Sequence, residues 1–172
     1  METANLKKVG CPSLEELKES PGFPPRQVYV SKGPLAFIEC IEEIPCNPCE
    51  SSCPTGAITV GTPITNLPEI DTGKCIGCGT CAAMCPGLAI CIRNYNFEEE
   101  RALITFPYEY YPVPAEGDTA VMVDRMGEKV CDGEIIGVRK TKQSDETYLI
   151  SAAYDKRFFL EVINIRRPAG QE

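Results

Sequence analysis

The chain has 172 residues, 43% apolar and 24% charged, the balance of an ordinary folded protein with room for one or two domains. Eleven cysteines stand against no histidine and no tryptophan. The missing histidine excludes a Ser-His-Asp or Cys-His nucleophile, a histidine-ligated haem, a Rieske centre and a zinc-protease helix. The net charge is −8, with seven basic against thirteen acidic side chains in residues 1–100. Such a field disfavours nucleic acid, whose phosphates need Lys and Arg, and suits a basic protein partner or a soluble carrier.

Residues 1–33 read as an amino-terminal arm, either packed on the main module or a disordered lead. Its first eight residues lack the apolar run of a secretory signal, so a cytoplasmic, reducing environment is expected, where metal ligation is favoured over disulfides. Ser13 followed by Glu16 is a capping-box pattern opening a short helix, with Leu14 and Leu17 on one face. Pro21-Gly22-Phe23-Pro24-Pro25 ends it and leads to a predicted strand over 27–30.

Residues 34–97 form the next unit, and it contains an internal repeat. The first copy has Phe37-Ile38-Glu39-Cys40, then Cys46-x2-Cys49-x3-Cys53-Pro54, then an apolar run over 57–60. The second has Glu69-Ile70-Asp71, then Cys75-x2-Cys78-x2-Cys81-x3-Cys85-Pro86, then an apolar run over 88–92. Each copy reads as strand, cysteine loop, one or two helical turns and returning strand. Residues 75–92 carry no charge and are long enough for a membrane span, but Pro86 and five cysteines argue against one, and no span is expected.

Residues 98–117 read as a linker: the charge run Glu98-Glu99-Glu100-Arg101, then a proline-aromatic stretch in which Tyr108, Tyr110 and Tyr111 either pack beneath the linker or anchor an interface. Residues 118–168 read as a small all-β, barrel-like domain with strands over 119–123, 135–140, 147–152 and 158–165. Arg166 and Arg167 read as a solvated tail or a docking pair. The fold class is therefore α+β, a cysteine-rich module followed by a β domain. No catalytic residues are found.

Paired Cys-x2-Cys elements also make zinc ribbons, but these need only four ligands, and eight ordered cysteines with prolines after Cys53 and Cys85 exceed that. The run Cys-x2-Cys-x2-Cys-x3-Cys-Pro resembles that of the bacterial dicluster (2×4Fe–4S) ferredoxin family over about residues 36–93, with Gly77 and Gly79 suited to a loop curled round a cluster. The resemblance implies a ferredoxin-like, pseudo-two-fold module and two 4Fe–4S clusters. It assigns Cys46, Cys49 and Cys85 to cluster 1, and Cys53, Cys75, Cys78 and Cys81 to cluster 2. The family spacing puts the remaining ligand at Glu43; the nearest thiol is Cys40, separated by the insertion Ile41-Glu42-Glu43. Cys40 is taken as the eighth ligand because soft iron–sulfide centres prefer thiolate, with a three-iron cluster or a carboxylate-ligated iron as the alternatives. Cys11, Cys91 and Cys131 are left as buried small hydrophobes.

The same resemblance implies an electron-transfer protein without its own catalytic site. The extra β domain suggests a subunit docked in a larger oxidoreductase complex, its partner a flavoprotein that divides two-electron chemistry into single steps. A freestanding ferredoxin is the alternative. The segment from Cys78 to Ile90, with the proline-rich stretch and β tail, is also similar to small iron–sulfur subunits of flavin-dependent amino-acid dehydrogenase complexes.

Overall fold

The computed structural model describes residues 4–140, 144 and 146–167. The chain opens with α1 (Ala4–Val9) and α2 (Leu14–Lys18). The capping box at α2 is formed in both directions: the Glu16 N–H donates to Ser13 Oγ at 3.2 Å and the Ser13 N–H to Glu16 Oε2 at 2.7 Å. The predicted strand over 27–30 is instead a helical turn, α3 (Arg26–Tyr29). Tertiary packing overrides the β tendency of Val and Tyr here. The turn carries Tyr29 into an aromatic cluster with Phe37, Tyr95 and Phe159, at centroid distances of 5.7, 6.0 and 4.9 Å. The described part of the arm is packed down: the Ile38 N–H donates to Gly22 O at 3.0 Å and the Ile70 N–H to Pro21 O at 3.3 Å. A Cβ at Gly22 would lie 2.8 Å from Ile38 Cβ and 2.9 Å from Pro68 O, so only glycine allows this approach.

The cysteine-rich segment contributes β1 (Leu35–Ile38), α4 (Pro48–Ser51), β2 (Ile58–Thr59), β3 (Glu69–Ile70), α5 (Thr80–Met84) and β4 (Ile90–Asn94). The first and last strands pair antiparallel, Leu35 opposite Arg93 and Ile38 opposite Ile90; the two middle strands pair as a separate antiparallel ribbon. Both cysteine loops therefore lie between strand pairs that join one copy of the repeat to the other.

The stretch read as a linker contains β5 (Arg101–Tyr108), which pairs with β4 on one side and along its full length with β8 (Tyr148–Asp155) on the other. Burial decides this: Ala102, Ile104, Phe106 and Tyr108 on one face are all at most 1% exposed, and from Ile104 on the other face is buried as well. With β6 (Thr119–Val123), β7 (Lys129–Lys140) and β9 (Asn164–Ile165), the result is one seven-stranded antiparallel sheet in the order β1-β4-β5-β8-β7-β6-β9. The strands predicted over 119–123 and 135–140 fall within β6 and β7, and the one over 147–152 overlaps β8, which starts one residue later and runs on to Asp155. The strand predicted over 158–165 does not form. Asp155 accepts from the Arg157 N–H and starts a tight turn over Lys156–Phe158, which sets Phe159 and Val162 at helical spacing into the core; only Asn164–Ile165 is extended. Tyr108 is buried, whereas Tyr110 and Tyr111 are 53% and 62% exposed.

Phe159 packs edge-on to Phe37 and Tyr95 and is 4% exposed, tying the end of the chain to the first strand. Phe159→Ala is expected to cost about 3–5 kcal/mol of stability, read from the denaturant midpoint of the full chain.

Candidate metal centres

The two faces of β1 and β4 have different work, because successive side chains on a strand point to opposite sides. Ala36, Ile38, Ile90 and Ile92 turn toward the cysteine loops, where they line two pockets. Phe37 and Arg93 belong to the other face, with the aromatic cluster.

One pocket is lined by Cys40, Cys46, Cys49 and Cys85, with Ile38, Ile44, Pro48 and Ile90 among its walls. The other is lined by Cys53, Cys75, Cys78 and Cys81, with Ala36, Ile58, Ile76 and Ile92. The eight cysteines singled out in the sequence thus fall into two sets of four, each with three from one copy of the repeat and one from the other. All are free thiols, as are Cys11, Cys91 and Cys131. Of these last three, Cys91 is buried, while Cys11 and Cys131 are half-buried; Cys11 Sγ lies 3.2 Å from Met126 Sδ. Glu43 is exposed and is not among the residues lining the first pocket, although Glu42 is.

The backbone is arranged to receive charge at sulfur. Cys53 and Cys85, each followed by proline, accept hydrogen bonds from the N–H four residues on, Ala57 at 3.2 Å and Ala89 at 3.4 Å. The residue before each donor, Gly56 in one copy and Leu88 in the other, has a left-handed backbone with φ of 60° and 51°. The same turn is built twice, once with the residue that takes this conformation freely and once against a steric cost. Threonine hydroxyls lie near one further sulfur and one of these two, Thr80 Oγ1 at 3.4 Å from Cys78 Sγ and Thr55 Oγ1 at 3.7 Å from Cys53 Sγ.

Three of the bare thiols, Cys40, Cys49 and Cys81, resist ionisation because they are buried, whereas Cys53, although burial acts to raise it, is held below the usual thiol range by N–H groups that include that of Ala57. Burial, then the nearby Cys85, pushes Cys49 up to about 11; burial, then Cys75 and Cys78, pushes Cys81 higher still. Four crowded thiols in an apolar pocket need bound cations before they can all be thiolates. Among the described residues, no three His, Cys, Asp or Glu side chains are gathered tightly enough for a single metal ion. A cubane does not ask for that, since each thiolate binds a different iron at a different corner. The donor set, all sulfur with N–H groups aimed at it, fits an iron–sulfur cluster.

Residues 39–89 match the 4Fe-4S dicluster domain family. This segment is a 4Fe–4S dicluster domain. It carries two 4Fe–4S clusters. A curated relative, a subunit of an ion-translocating oxidoreductase complex from Methanosarcina acetivorans, is 50% identical over 50 residues, 29% of this chain. The chain spans only 18% of that relative's length. No solved structure matches the chain. Among the described residues, no helix is long and apolar enough to cross a membrane; the uncharged stretch over 75–92 is a loop, the short α5 and β4.

Sequence spacing alone did not find what surrounds the dicluster domain. Arg139 of β7 donates from Nη2 to the Cys78 carbonyl at 2.5 Å, and Arg125 reaches Glu39, the residue before Cys40. Neither arginine lies near any of the eight pocket cysteines in sequence, and only the strand order brings them there.

Gly77 has φ of 64°, and a Cβ there would lie 2.6 Å from both Cβ and O of Pro34. Gly77→Ala should deform the loop between Cys75 and Cys78, and iron analysis should fall from about eight to about four per chain.

Proposed function

We propose that the chain is an electron-transfer subunit of a larger oxidoreductase complex, with no catalytic site of its own. The observation that carries this is the partition of eight cysteines into two pockets of four, each completed by a cysteine from the other copy. Cys40, Cys46, Cys49 and Cys85 would hold cluster 1, and Cys53, Cys75, Cys78 and Cys81 would hold cluster 2. The two copies would be related by the pseudo-two-fold axis of a ferredoxin-like module within residues 34–97, with the later β strands, over 118–168, as an accessory domain. When bound, each 4Fe–4S cluster supplies one-electron oxidation and reduction.

The chain's own residues have three tasks in this reading. Eight thiolates hold iron, and the N–H groups of Ala57 and Ala89 stabilise the charge on Cys53 and Cys85. The buried Ile38, Ile90 and Ala36 exclude water from the sides facing the sheet, which keeps the centres from hydrolysis and shapes their dielectric surroundings. No proton need move, which suits a chain without histidine.

Large apolar side chains stand in solvent beside both pockets: Ile44 and Ile64 near the first, at 49% and 46% exposure, and Ile76 at the second, at 61%. Tyr110 and Tyr111, which line neither pocket, are exposed as well. These favour a docked subunit over a freestanding carrier, because apolar groups cover well in an interface core. The partner is read as a flavoprotein on the chemical ground that single-electron carriers serve two-electron donors through such a cofactor. A cytoplasmic setting is part of this reading, because thiols that hold iron rather than pair as disulfides suit a reducing compartment. The relative's name, which places it in an oxidoreductase complex, supports the subunit reading.

Iron and acid-labile sulfide on the anaerobically purified full chain should come to about eight each. Cys40→Ala should lower iron to about seven or fewer, while Glu43→Ala leaves it near eight. The opposite pattern would show that Glu43, not Cys40, completes the first site.

A further inference from the structure

Glu39 sits one residue before Cys40, and alternation along the strand turns it away from the pocket, toward the reverse face of the sheet. There it meets two arginines. Arg125, in the turn between β6 and β7, donates from Nε to Oε2 at 2.8 Å and from Nη2 to Oε1 at 2.5 Å. Arg93 of β4 donates from Nη2 to Oε1 at 3.3 Å and is itself 1% exposed. Arg93 Nη1 also donates to the carbonyls of Phe159 and Val162, and its guanidinium lies 5.4 Å from the Phe37 ring centroid. Arg125 Nη1 holds the Leu160 carbonyl at 3.0 Å. The three charged groups sum to one positive charge, enclosed directly behind the backbone that presents Cys40.

Another arginine from the same half of the sheet lies on the other cysteine loop. Arg139 Nη2 donates to Cys78 O at 2.5 Å, and it can lie there because Gly79, at φ of 85°, has no Cβ; one would stand 2.6 Å from that nitrogen. Among the described residues, Arg139 makes no ion pair.

A cluster becomes more negative when it takes an electron, so a fixed cation nearby favours the reduced form and an anion the oxidised form. Guanidinium keeps its charge at any working pH. The field of the enclosed Glu39–Arg93–Arg125 group is weakly screened, whereas Arg139 is exposed, so its field is screened more and acts through its short contact with the Cys78 loop. We propose that the C-terminal half of the sheet sets the two reduction potentials separately, Arg125 acting on cluster 1 through Glu39 and Arg139 acting on cluster 2 through the Cys78 loop. This rests on the ligand assignment above. The arginines are positioning residues that touch no iron; they fix the loops and place charge. The three-residue insertion before Cys46 leaves Cys40 at the end of a long lead, and the clamp on Glu39 holds that lead in place.

The test is an EPR-monitored redox titration of the anaerobically purified full chain. Arg125→Met removes one positive charge and should lower the cluster 1 potential, shifting its reduction equilibrium about tenfold, about 59 mV for one electron. Glu39→Gln removes the anion and should raise the same potential. Arg125→Lys keeps the charge and should restore most of the wild-type value. Arg139→Met should lower the cluster 2 potential and leave cluster 1 in place. Opposite signs for Arg125→Met and Glu39→Gln are the signature of charge, since loosening the same clamp by a purely structural route moves both variants in one direction. Shifts of the same sign, no shift, or an Arg139→Met change shared equally by both clusters would overturn the proposal. Cys40→Ala, measured alongside, separates the two claims. If it leaves both clusters intact, the ligand assignment fails and the cluster 1 half of the proposal with it. If it disrupts cluster 1 while Arg125→Met and Glu39→Gln shift nothing, the proposal alone fails.

Discussion

Cys53 and Cys85 each stand in the pocket opposite the three cysteines that share their copy of the repeat, and that exchange governs how the chain can run. A loop that supplies three thiols to one pocket and a fourth to another must have both pockets against it. The antiparallel pairing of β1 with β4 and of β2 with β3 brings the ends of the copies together so that this can happen. The short helices follow from the same demand: α4 and α5 span the distance from the loop thiols to the crossing cysteine, and the proline after each crossing cysteine cannot continue a helix.

Around this exchange the rest of the chain forms a support. The sheet begins with β1 and β4, whose inner face closes the pockets, and continues through β5 into the later strands without a break in pairing. Arg93 is the point at which the two parts are most tightly joined. It comes from β4, is fully buried, pairs with Glu39, and satisfies two carbonyls of the segment that returns after β8. Removing one partner of such a buried pair costs about 3–5 kcal/mol, because the other charge is left without compensation. The later strands are therefore not an appendage that could be trimmed without consequence for the cysteine loops.

The cysteine spacing made the dicluster domain legible, since Cys-x2-Cys-x2-Cys-x3-Cys-Pro encodes local geometry and local geometry survives in sequence. The capping box at Ser13 and Glu16 and the strand at 119–123 were legible for the same reason. What sequence hid was tertiary. Residues 98–117 have the prolines and charges of a linker, yet the apolar stretch from Ala102 to Tyr108 is a buried strand with a neighbour on each side. Residues 27–30 and 158–165 have strand composition, but Tyr29 and Phe159 must meet Phe37, and a helical turn delivers each ring there. The clamp on Glu39 joins residues 86 apart in sequence, a separation at which no local pattern exists.

The most direct test is Mössbauer spectroscopy of the full chain reconstituted anaerobically with 57Fe. All bound iron, about eight atoms per chain, should belong to two four-iron cubanes with sulfur-only coordination. A single cubane, a three-iron centre in the freshly prepared protein, or isolated tetrahedral iron would contradict the account.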